Sequence, residues 1–174
     1  MKKFLVSIRN PKSHRLQVKP EIITLGEARS VAVLADFVKT DQQDWIVSFT
    51  NSLSSYNNNI QIIVLCKNRK LVIPETKARP IRVDRKDFLW TGAISDEKLQ
   101  ELPSEVDLLI NVSIQTDPYI LYIMKCINSG LNIAVNGNDF LQSGLYELNF
   151  ETANRNNPEL LAKEIASYLN SLKG

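Results

Sequence analysis

The chain has 174 residues, of which 44% are hydrophobic and 23% charged, and its net charge is +2. That length and balance suit one soluble globular unit with a real hydrophobic core. No apolar run approaches the ~18 residues of a transmembrane helix, and one histidine with two cysteines excludes any two-histidine site or four-ligand zinc centre.

The small net charge hides a segregated one. Residues 1–20 carry Lys2, Lys3, Arg9, Lys12, Arg15 and Lys19 with no acid, and residues 67–86 also sum to +6, so the remainder is −10. Two such segments could meet a phosphate-rich or acidic partner, or simply be solvated loops balancing an acidic body. Met1-Lys2-Lys3 resembles the basic start of a signal peptide. The apolar stretch behind it, Phe4 to Ile8, is shorter than the roughly 7–15 residues a signal needs. We therefore expect a basic N-terminal arm over residues 1–22, one α/β domain over residues 23–174, and a cytoplasmic protein.

Val31-Ala32-Val33-Leu34-Ala35 reads as a buried strand, followed by a loop over Asp36-Phe37-Val38-Lys39. Thr40 or Asp41 can cap the next helix, whose Ile46, Phe49 and Leu53 follow the i, i+3, i+7 rhythm beside Trp45. Asn57-Asn58-Asn59 breaks it. Ile60 to Cys66 is a second strand, rich in β-branched residues. The pattern then weakens into an irregular edge around residues 67–94, where Leu71-Val72-Ile73 and Ile81-Arg82-Val83 suggest short edge strands and Pro74 and Pro80 mark turns. Phe88-Leu89-Trp90-Thr91-Gly92 reads as a turn folded onto the core. Ser95 caps a short helix with Asp96 and Glu97 in its first turn.

The clearest unit spans Val106 to Val135. Val106 to Val112 is a short apolar run without polar alternation, as expected of a strand buried on both faces. Asp117-Pro118 caps a helix carrying Ile120, Leu121, Ile123, Met124 and Ile127. Ser129-Gly130 is expected to end that helix through a left-handed glycine, and Leu131 to Val135 to be the next strand, closed by Asn136-Gly137. Leu145 to Phe150 reads as a last strand. Asn157-Pro158 opens a terminal helix whose buried face should hold Leu160, Leu161, Ile165, Tyr168, Leu169 and Leu172. Strands alternating with helices predict a three-layer α/β fold: a mostly parallel sheet with helices on both faces, Rossmann-like or flavodoxin-like.

Three stretches, Ala28 to Leu34, Asp87 to Gly92 and Val106 to Ser113, resemble a family of small α/β proteins of unknown function from Bacteroidetes-group bacteria. The likeness covers the α/β domain, and the aromatic-glycine patch and the aspartate-apolar-asparagine strand are its most specific parts. Thr91 stands where that family carries an aromatic before the glycine. The resemblance implies a Rossmann-like fold and no assigned activity, so it transfers no catalytic residue.

In an open parallel sheet, ligands bind outside the carboxyl ends of the strands, at a switch in strand order. The candidates there are Asp36, Thr40, Asn111, Ser113, Thr116, Asp117, Asn136, Gly137 and Asp139. They form either a polar crevice for a small anionic ligand or a set of helix caps and turns. Asp36, Asp117 and Asp139 could hold magnesium, though nothing fixes their spacing; no cofactor is identified. The glycine-rich nucleotide motifs and G-x-S-x-G are absent. Arg82, Arg85 and Lys86 next to Phe88 and Trp90 could form a stacking platform for single strands, but aromatics beside glycine more often pack a turn, which argues against nucleic acid. Three functions follow from this reading. The leading one is a non-catalytic binding or interaction module with a protein partner or a second copy. The others are an enzyme acting on a small phosphorylated or nucleotide-like ligand, and a basic surface for nucleic acid or anionic lipid.

Overall fold

A computed structural model describes residues 21–37, 42–67, 72–73, 76–78, 80–113, 117–135 and 145–173. The strands are β1 (Val31–Phe37), β2 (Ile60–Cys66), β3 (Pro80–Asp84), β4 (Glu105–Asn111), β5 (Asn128–Val135) and β6 (Leu148–Phe150). The helices are α1 (Gln42–Leu53), α2 (Asp96–Glu101), α3 (Pro118–Cys126) and α4 (Pro158–Lys173). All six strands form one parallel sheet in the order β3-β2-β1-β4-β5-β6. This is the doubly wound order, with its switch point between β1 and β4.

The burial pattern explains the layers. Val31, Val33 and Ala35 face one side with Ile46, Phe49 and Leu53 of α1 and Leu161, Ile165 and Leu169 of α4. Ala32 and Leu34 face the other with Ile120, Ile123 and Met124 of α3. A strand's side chains alternate between faces, so with apolar residues at both parities β1 is buried twice. Connections of one hand then put α1 and α3 on opposite faces, because the chain steps leftward from β1 and rightward from β4.

Several expectations need revision. Ser129 and Gly130 do not end α3; they already belong to β5, and α3 closes at Ile127 in extended conformation. Glycine is needed at 130 for close approach, since a Cβ there would lie 2.9 Å from the Asp107 carbonyl oxygen of β4. The last strand starts at Leu148 rather than Leu145, and Asp36 and Phe37 belong to β1 rather than to the loop after it. Val72 and Ile73 are irregular, whereas Ile81 to Val83 do form part of an edge strand, with proline at its first position. Leu160 and Leu172 of α4 are exposed, and Ala162 and Ala166 take the buried positions instead. Position 160 precedes the 161–165–169 stripe by about 100° of helical turn, which carries it off the face. Cys66 is buried but Cys126 only half so, and both are free thiols.

The Phe88–Gly92 turn is folded onto the core only in part. Phe88 is buried against Tyr119, with ring centroids 4.3 Å apart, while Trp90 is 97% exposed. Thr40, Asp41, Leu71, Pro74 and residues 136–144 lie outside the described residues. Among the described residues, no helix is long and apolar enough to cross a membrane.

Candidate functional site

The switch point is built from the ends of β1 and β4, where Leu34 stands beside Asn111. Asp36, two residues further, shares the side-chain parity of Leu34 and so points to the α3 face. It is almost wholly buried. A carboxylate there needs a countercharge, and Lys67, the first residue after β2, supplies it. Its Nζ lies 3.3 Å from Asp36 Oδ2 and 3.1 Å from Asp117 Oδ2. One ammonium thus ties the ends of β1 and β2 to the N-terminus of α3.

Asp117 also works as a cap. Its Oδ1 accepts the Tyr119 backbone N–H at 3.0 Å, with Pro118 at the first helical position. The α3 N-terminus is therefore occupied by the chain's own carboxylate, which answers the helix dipole that an incoming anion would use.

On the other side of the crevice Arg155, in the loop before α4, donates to the carbonyl of Val112 at 3.1 Å and to that of Ser113. Burial pulls its guanidinium below the usual arginine range, and the negative charge of Asp36 partly offsets that. The Arg155 carbonyl accepts the Trp45 indole N–H at 3.0 Å, and Trp45 stacks on Phe49 with centroids 5.0 Å apart. The loop is thus pinned to α1 while its side chain reaches the end of β4.

Asn111 organises the third part. Its Oδ1 accepts from the Ser113 backbone N–H at 3.0 Å and from Ser113 Oγ at 2.6 Å, and its Nδ2 donates to the Tyr146 hydroxyl at 2.6 Å. Tyr146 lies 2.8 Å from the Met124 sulfur. Burial raises the Tyr146 phenol to about 12, against a smaller lowering by Asn111. A tyrosine raised in the folded state destabilises it as it ionises. Stability should be intact below pH 10 and fall as pH rises from there through about 12. Chemical denaturation across that range, wild type against Tyr146→Phe, checks this: the variant should lose less stability.

Asp36, Asn111, Ser113 and Asp117 are thus joined in one network, with Lys67 and Arg155 as its cations. Thr40, Thr116, Asn136, Gly137 and Asp139 lie outside the described residues. Lys67, Arg155, Trp45 and Tyr146 had no place among the sequence-based candidates. Lys67 alone carried a signal, as a cation at the carboxyl end of a buried strand. Among the described residues, no three His, Cys, Asp or Glu side chains gather as a metal site. Among the described residues, open depressions of about 490 Å³ beside Phe150 and Glu164 and about 450 Å³ between Asp44 and Glu159 lie elsewhere.

The basic candidates behave differently from one another. Arg82 holds Asp84 through two contacts of 2.8 and 2.9 Å, which keeps the aspartate below its ordinary range and the arginine above its own. Arg85 and Lys86 are exposed, with Arg85 5.9 Å from the Tyr119 ring centre. Lys2, Lys3, Arg9, Lys12, Arg15 and Lys19 lie outside the described residues.

No curated protein and no solved structure matches the chain. A family model matches residues 2–172, nearly the full length, and the chain belongs to that family, the family of unknown function DUF6913.

Proposed function

We propose that this chain is a non-catalytic binding or interaction module on a doubly wound scaffold, its strand-end crevice serving as an electrostatic lock. The observation that carries this reading is Lys67, whose single ammonium bridges Asp36 and Asp117 across the switch point. Arg155 and the Asn111–Ser113–Tyr146 set engage neighbouring polar groups in the same way. The reading takes residues 23–174 as one α/β domain behind a basic arm of residues 1–22, in a bacterial cytoplasm of the Bacteroidetes group. The free thiols of Cys66 and Cys126 suit a reducing compartment.

A second reading, an enzyme for a small phosphorylated or nucleotide-like ligand, is favoured by location: two cations gather where open sheets bind ligands. An anion arriving there would have to draw Lys67 and Arg155 away from buried partners, which costs several kcal/mol, of order 3–5. Thermal melting of the full chain with nucleotides, sugar phosphates and divalent cations separates the two. A ligand present at a hundred times its Kd adds about 2.7 kcal/mol, or roughly 5–10 °C for a domain of this size. The lock reading expects no such shift, and one ligand that produces it overturns the reading.

A further inference from the structure

We draw no further inference here: the strongest candidate, the exposed Leu89–Trp90 surface patch on the turn between β3 and α2, is near neutral, with Arg85 and Lys86 set against Asp96 and Glu97, and nothing among the described residues shows what covers it.

Discussion

Replacing Lys67 with methionine should destabilise the fold by about 3–5 kcal/mol, the cost of removing one partner from a buried charge pair. Methionine keeps the apolar stem, so the change isolates the ammonium. The side chains of Asp36 and Asp117 are 0% and 9% exposed, and without Lys67 two carboxylates face one another across the switch point. Arg155 answers Asp36 only in part, and Asp117 is left with the Tyr119 N–H and the dipole of α3. Urea denaturation of the variant measures the loss. The triple variant Lys67→Met, Asp36→Asn, Asp117→Asn should recover most of it, because a buried charge set and its neutral isosteres are often nearly equal in energy. A single variant losing less than about 1 kcal/mol would place Lys67 among ordinary surface pairs and remove the basis of the lock.

The parts of the fold legible in sequence were those with a local cause. Val31 to Ala35 and Val106 to Val112 lack polar alternation because both faces are covered. Asp117-Pro118 marked the start of α3 because the carboxylate and the ring each answer a backbone need within two residues. Gly130 was misassigned because closeness to the Asp107 carbonyl is a relation between strands, invisible along one of them. Trp90 was misplaced for a similar reason: an aromatic beside glycine looks the same whether its ring turns inward, as Phe88 does, or outward. The acids of the crevice were legible as polar residues at strand ends. Lys67 showed only as a cation at a strand end and Arg155 not at all, since their partners lie at the ends of β1 and β4 and at the start of α3, far from them in the chain.

Replacing Arg155 with alanine should destabilise the protein by about 2–4 kcal/mol. It leaves the carbonyls of Val112 and Ser113 short of a charged donor just past the end of β4, and an unmet buried acceptor costs about 1–3 kcal/mol. It also takes positive charge from Asp36. Lysine at 155 should recover less than half of the loss: both contacts come from one terminal guanidinium nitrogen, and an ammonium, more strongly hydrated, is costlier to hold in that half-buried place. The alanine and Lys67→Met changes should not add, since both cations serve Asp36. A double-mutant cycle should show a coupling of about 0.5–3 kcal/mol, the second removal altering a network that the first has already opened. Strict additivity would mean that the two cations serve independent places, and the crevice would then be two neighbouring contacts rather than one charge unit spanning the halves of the sheet.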